Sequence, residues 1–335
     1  MHLLADGAPC SEQIRQLESG ELADVSANLF TELGNLSGAL KDRKQSRGPT
    51  SFRRSRTIRN LRRCLKRFRY VTPSRAAADL ARAIGLHRSE PAITPVAART
   101  ERLVVSMTTV PQRIGSILPA LRSLLDQTCA ADKIVLALPS HSLRAAEPYP
   151  AVPPLPARVE ILHCEDHGPA TKLLPVLRRE PDATIVAVDD DVIYPRDFLE
   201  TLLEAHRRQP RCAVGYRGCD IEPNIDPRDF NHVFATALRT PRSVDLLLGT
   251  WGYLVPPRAF DEAVYDFSGF PDPVRWVDDI WFSGHLARRK LPRYVIQAKG
   301  FPIETTASYH AALTDGPNRT GKNDTAAIEL FAPWW

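Results

Sequence analysis

The chain has 335 residues, 43% hydrophobic and 25% charged, with a net charge of +5. That composition belongs to a globular protein with a sizeable core and excludes collagen, a coiled-coil rod and wholesale disorder. The positive charge is local: residues 41–70 hold 13 Lys and Arg against one acid, Asp42, so this +12 segment leaves the rest of the chain at −7.

Residues 1–40 read as a short helical region without strong caps. Their first residues lack the basic-then-apolar order of a secretory signal. Residues 41–57 are basic, polar and rich in Gly, Pro and Ser, the composition of a linker. From Ile58 to Tyr70, apolar residues recur at Ile58, Leu61, Leu65 and Phe68 with arginines between them, which predicts a basic amphipathic helix. A further short helix is predicted over Ala76–Ile84, followed by a Pro/Thr/Ala connector to about residue 100.

The organised region begins near Arg102. Leu103–Met107 predicts a strand, and Ile114, Ile117, Leu118, Leu121, Leu124 and Leu125 form one stripe of a helix. Ile134–Leu138 and Val159–Leu162 predict two further strands, separated by a proline-rich loop. A helix is expected from Pro169 to Arg178. Thr184–Val188 is apolar throughout, as a strand buried on both faces must be. The next helix is expected to open at Pro195, a favoured residue for a first turn. Strands near Val244–Leu248 and Tyr253–Val255, a helix over Asp278–Arg289 and a strand at Arg293–Gln297 complete the chain. Strands alternating with helices predict an α/β fold with a mostly parallel central sheet, flanking helices and a mixed second half.

No apolar run approaches the roughly 18 residues that span a bilayer, so a cytoplasmic protein is expected. The six cysteines are scattered without C-x-x-C spacing, which gives no support to zinc or dithiol chemistry and suits reduced, buried thiols.

Ligands of open α/β sheets bind beyond the carboxyl ends of the strands. Asp189, Asp190 and Asp191 stand at such an end. Adjacent carboxylates repel unless a cation or a basic partner offsets them, and oxygen ligands select Mg²⁺ or Mn²⁺. The alternative is a solvated acidic turn in which one aspartate caps the next helix. Gly168-Pro169-Ala170-Thr171-Lys172 precedes a helical stretch whose free N–H groups attract anions, and Lys172 lies within reach of a phosphate there. Thr108, Thr109 and Arg113 follow the first strand, where a loop can hold a base and ribose with Arg113 on phosphate. Asp278-Asp279 opens a helix among aromatic residues. There the pair either caps the helix or supplies a base and a hydroxyl-orienting group. Gly249-Thr250-Trp251-Gly252 is a candidate acceptor wall, with Trp251 and Gly252 at its face and core packing as the alternative. In the late Gly/Asn/Asp-rich loop, His310 is a candidate metal ligand and Arg319 a candidate phosphate ligand.

Together these motifs resemble a GT-A glycosyltransferase over about residues 102–300. The elements are Ser106–Arg113, Ser123-Leu124-Leu125-Asp126-Gln127-Thr128, Gly168–Lys172, Val188–Pro195 and Trp276–Trp281. The second is similar to family 2 enzymes. The Val-Asp-Asp-Asp run followed much later by Asp-Asp-Ile is similar to the C-terminal domain of exostosin-type transferases. The resemblance implies a GT-A domain over 101–335 behind a basic N-terminal region, 1–100. It implies a nucleotide-sugar donor, expected to be UDP-linked, and a glycan or other hydroxyl acceptor. Mn²⁺, or Mg²⁺, would bridge Asp191 and the donor diphosphate, with Asp189 near the ribose and Asp190 beside them. Asp278 or Asp279 would act on the acceptor, as base in an inverting enzyme or as a positioning group in a retaining one.

A different class of function follows from residues 41–70 alone. Such a segment binds an anionic inner-membrane surface, or less readily a nucleic acid, and would make the α/β domain secondary. Few aromatic residues interleave it and no RNA-binding signature accompanies it. A sugar nucleotidyltransferase, which shares the sheet, is a third and less favoured reading, because Thr108–Arg113 lacks the glycine-rich phosphate loop such enzymes need.

Overall fold

The computed structural model describes residues 72–309 and 322–335. The chain divides into two compact units, Met1–Arg82 and Ala83–Trp335. In the first, residues 72–82 are described and form most of helix α1 (Pro73–Arg88), longer at both ends than the sequence predicts. The amphipathic stretch Ile58–Tyr70 lies outside the described residues.

The second unit is built on an eight-stranded sheet. Its strands in chain order are β1 (Leu103–Thr108), β2 (Lys133–Pro139), β3 (Val159–Cys164), β4 (Thr184–Val188), β5 (Ala213–Gly215), β6 (Arg242–Ser243), β7 (Tyr253–Val255) and β8 (Arg293–Val295). Across the sheet the order is β6-β8-β5-β7-β4-β1-β2-β3. β3, β2, β1 and β4 run parallel, and β7 then enters antiparallel to both β4 and β5. This is an α/β fold with a parallel half and a mixed half, as the alternating pattern predicts. The apolar runs behave accordingly: every residue of β4 and all of β1 except Thr108 are buried.

The chain leaves β1 toward β2 on one side and returns to β4 on the other. Strand order reverses here, and such a switch point opens a crevice at the carboxyl ends. The register sets Met107 beside Val188, so Thr108-Thr109 and Asp189-Asp190 emerge side by side.

Prolines break helices that the apolar stripes suggest are continuous. The stripe over 114–125 is a 3₁₀ turn, Ile114–Ser116, followed by α2 (Leu118–Leu125). Pro119 cannot donate a backbone N–H and its ring crowds the preceding turn. Pro175 acts likewise, so Pro169–Arg178 divides into a 3₁₀ turn, Gly168–Lys172, and α3 (Leu174–Arg179). Pro195 lies in a turn and α4 begins at Phe198 (Phe198–Arg208). The strand expected at Val244–Leu248 is interrupted at Asp245, whose carboxylate accepts the Ile221 N–H at 2.9 Å. Val244 and Asp245 separate two strands of different sheets, β6 and Leu246–Leu247. The latter joins Arg217–Cys219 and His232–Phe234 in a small antiparallel sheet.

Helix α5 (Asp278–Arg288) packs between this mixed half and the C-terminal helix α6 (Lys322–Leu330). Gly284 is required there, because a β-carbon would run into the Phe331 ring. Trp281 is fully buried, stacks on Phe267 at 4.4 Å and donates its indole N–H to the Val264 carbonyl. No helix among the described residues is long and apolar enough to cross a membrane.

Candidate active site

The crevice between β1 and β4 gathers most of the charged residues that the sequence singles out. On the β1 side, Thr109 donates its hydroxyl to Asp190 Oδ2 at 2.5 Å. Arg113 Nη1 reaches Asp190 Oδ1 and Asp191 Oδ2, each at 2.7 Å. Thr108 is tied away from the cluster, donating to the Ala137 carbonyl of β2 at 2.8 Å.

Lys172 connects this cluster to the second pair of aspartates. Its ammonium lies 2.9 Å from Asp278 Oδ2 and 3.8 Å from Asp189 Oδ1. The Asp278 contact is an ion pair without aligned hydrogen-bond geometry. Ser106 of β1 donates its hydroxyl to the Lys172 carbonyl, which anchors the lysine from beneath. Both charged partners are enclosed, with side chains 10% and 6% exposed, so neither is a solvated surface group. Lys172 therefore faces carboxylates.

Asp279, the next residue, accepts the Gly249 backbone N–H at 2.7 Å. Gly249 approaches so closely that a β-carbon would collide with the Lys172 ammonium and sit 2.8 Å from Asp279 Oδ1. Two turns beyond the sheet thus converge on one lysine.

Burial sets the protonation of the group. It is the largest influence on Asp191, where repulsion from Asp189 and Asp190 adds to it; against Arg113, these push the carboxyl up to about 7. Asp189 is raised by burial first, with Asp190 and Asp278 adding and Lys172 opposing. Asp279 is raised to about 7 by burial and Asp278, against Lys172 and the Gly249 N–H. For Lys172 burial alone lowers the pKa, but Asp278, Asp189 and Asp279 outweigh it and hold the ammonium well above its ordinary range.

Trp251 and Gly252 follow Gly249 with left-handed backbones, φ 73° and 80°. For a tryptophan this is a strained conformation, one that persists only where the surroundings impose it. Gly252 is needed, since a β-carbon would lie 2.8 Å from the Phe198 ring and 3.0 Å from the Ala187 carbonyl. The Trp251 ring is buried, 5.5 Å from Phe234 and 5.2 Å from Phe301. This is the core-packing alternative for the ring, while Gly249, at the start of the same turn, stays beside Asp279.

Three contributors carry no sequence signal. The Tyr194 hydroxyl accepts the Asp189 N–H at 2.8 Å. Thr305 donates its N–H to the Asp191 carbonyl at 2.7 Å. Glu304 adds negative charge near Asp191, brought there by the pairing of 303–304 with 192–193. His310 and Arg319 lie outside the described residues.

Five carboxylates, Asp189, Asp190, Asp191, Asp278 and Asp279, thus share two direct ion-pair partners, Arg113 and Lys172, with the field of Arg144 reaching Asp190. A hard divalent cation suits this excess of buried negative charge and its oxygen donors. Among the described residues, no three His, Cys, Asp or Glu side chains converge into a complete metal cage. The arrangement fits a cation held by one or two carboxylates that takes further oxygens from a bound phosphate, as Mg²⁺ commonly does.

No protein-family model matches the chain, and no curated protein matches it. Among solved structures, it is similar to the mannosyltransferase PcManGT from Pyrobaculum calidifontis, in complex with GDP-Man and Mn²⁺. The match has 16% identity and a TM-score of 0.43, and covers 78% of this chain and 74% of that one.

Proposed function

We propose that this chain is a GT-A glycosyltransferase that moves a sugar from a nucleoside-diphosphate donor, UDP-linked, to a hydroxyl acceptor such as a glycan. The observation that carries this reading is the Lys172 bridge, 2.9 Å from Asp278 and 3.8 Å from Asp189. It joins the two acidic motifs of the sequence resemblance, about 90 residues apart, in one enclosed site. Neither a solvated acidic turn nor a simple helix cap requires that meeting.

Donor binding falls to the switch-point crevice. The loop Thr108–Arg113 would receive base and ribose, with Asp189 nearest the ribose. Asp191 would hold Mn²⁺ or Mg²⁺, with Asp190 fixed alongside by Thr109 and Arg113. A bound cation supplies Lewis-acid stabilisation to the departing diphosphate. Arg113 stands within reach of both carboxylates and would place its charge on the donor phosphates.

Acceptor chemistry falls to the start of α5. Asp278 is committed to Lys172. Asp279, held by Gly249 and raised to about 7, is suited to exchange a proton with an acceptor hydroxyl near neutral pH. The Gly249–Gly252 turn would form the acceptor wall through its backbone, with the Trp251 ring packed beneath. Residues 41–70 would add contact with an anionic membrane surface. Loss of vesicle binding on deleting residues 1–71 tests that part separately.

The decisive assay is a panel of nucleotide sugars incubated with Mn²⁺ and followed for nucleoside-diphosphate release. A UDP-sugar should be hydrolysed slowly, and chelation should stop it. Absence of both hydrolysis and Mn²⁺-dependent nucleotide binding across the panel would sink the reading.

A further inference from the structure

The polar residues of the stretch Ser123–Thr128 grip the segment that follows the three aspartates. Ser123 Oγ accepts the Tyr194 N–H at 3.0 Å and donates to the Ala120 carbonyl at 2.7 Å. Gln127 Nε2 donates to the Pro195 carbonyl at 2.8 Å and to the Ser123 carbonyl at 2.7 Å, while its Oε1 accepts the Leu199 N–H at 3.0 Å. Thr128 donates its N–H to the Arg196 carbonyl at 2.8 Å and its hydroxyl to Glu200 at 2.9 Å. Asp126 pairs with Arg196 at 3.3 Å.

These bonds run in register along Tyr194–Glu200. The first part of that segment, Tyr194–Asp197, belongs to neither strand nor helix. Buried backbone groups without a ladder need other partners, and two fully buried side chains, Ser123 and Gln127, supply them. Tyr194, itself fully buried, then turns its hydroxyl back to the Asp189 N–H at 2.8 Å. The loop from Asp189 to Tyr194 is thereby closed on itself, with its far end clamped to α2.

We propose that Ser123, Gln127 and Tyr194 are positioning residues for the Asp189–Asp191 turn. Ser123 and Gln127 fix where the Tyr194 ring sits, and its hydroxyl fixes the Asp189 backbone and so the direction of the carboxylates. The inference rests on the reading that Asp191 holds a divalent cation, and it assigns a role to side chains that meet neither cation nor substrate. Groups that orient metal ligands from behind change metal affinity by about 10- to 100-fold when removed. A mere fold staple would change stability and leave affinity alone.

Tyr194→Phe deletes one oxygen and keeps the buried ring; Gln127→Met removes the clamp at similar volume. Two measurements separate the possibilities: Mn²⁺ affinity in the presence of UDP, by calorimetry, and residue-resolved amide exchange without ligands. In Tyr194→Phe, Mn²⁺ affinity should fall about 10-fold or more. Exchange should quicken at Asp189, while the β4 amides of Thr184–Val188 keep their protection. Gln127→Met should act in the same direction. Unchanged exchange at Asp189 in Tyr194→Phe overturns the relay, whether or not the protein binds nucleotide. Faster exchange with undiminished Mn²⁺ affinity also overturns it, leaving a fold staple. A wild-type chain that binds no Mn²⁺ with UDP overturns the glycosyltransferase reading instead, and the exchange result still decides whether Tyr194 sets the turn.

Discussion

The two edges of the site are built by different means. The edge proposed for the donor comes from neighbouring strand ends: Thr109 and Arg113 after β1, and Asp190 and Asp191 after β4, meet because Met107 lies beside Val188. The edge proposed for the acceptor is assembled from distant parts of the chain. Asp278 is met by Lys172, and Asp279 by the backbone of Gly249. Compensation differs as well. Arg113 spans Asp190 and Asp191, whereas Asp279 has a backbone N–H and the field of a lysine already paired with its neighbour. A strand end places charge cheaply, because the sheet register does the positioning. A site made from turns depends on a few ties, and Lys172 is the one on which both edges rely.

Breaking that tie should have the largest effect. Lys172→Met leaves Asp278 and Asp189 enclosed without their cation, and removing one partner of a buried ion pair costs about 3–5 kcal/mol. Denaturant unfolding at neutral pH checks this, and a loss under about 1 kcal/mol would mean that water or a shifted Arg113 replaces the lysine. Gly249→Ala should come next. Its methyl group would be forced against the Lys172 ammonium and Asp279, an overpacking cost of about 1–3 kcal/mol. In the Lys172→Met background the penalty should shrink, since the obstacle is partly removed; strict additivity would show that the two residues do not share the crowded space.

The smallest effect sharpens the electrostatic contrast. Asp279 is raised from 3.8 to about 7 in the folded chain. Between those values the folded state keeps a proton that the unfolded state releases, so this group makes stability fall as pH rises from about 4 to 7. Above about 7 the loss is complete. Asp279→Asn still offers an oxygen to Gly249 but cannot ionise. It should match the wild type near pH 4 and become the more stable of the two as pH rises through about 7. Parallel stability curves for the two proteins would show that Asp279 titrates as an ordinary carboxylate.

The same contrast governs how much the sequence reveals. β1 and β4 are readable because mainly apolar runs such as Leu103–Met107 and Thr184–Val188 have few other places to lie, and the aspartates inherit their position from β4. Helix continuity is less readable. Pro119 and Pro175 turn apolar stripes into a 3₁₀ turn plus a short helix, and periodicity alone does not register that. The acceptor edge is legible in its residue types but not in its wiring. Asp278 and Asp279 stand out beside Trp276 and Trp281, but nothing local shows that Lys172 faces them. Tyr194 lies inside the Val188–Pro195 element without a legible role, and Glu304 stands in no motif, because their roles come from a hydroxyl folded back across a turn and from a two-residue strand pairing. Trp251 shows the opposite failure: a tryptophan between glycines suggests an open wall, and its ring lies among Phe234 and Phe301.

The central claim is that the aspartate turn at the end of β4 binds a nucleoside diphosphate through a divalent cation held by Asp191. Calorimetric titration of UDP, with and without Mn²⁺, into the wild type and Asp191→Ala tests it most directly. The wild type should bind UDP in a Mn²⁺-dependent manner, and Asp191→Ala should abolish that binding while remaining folded. Undiminished Mn²⁺-dependent binding in Asp191→Ala would contradict it.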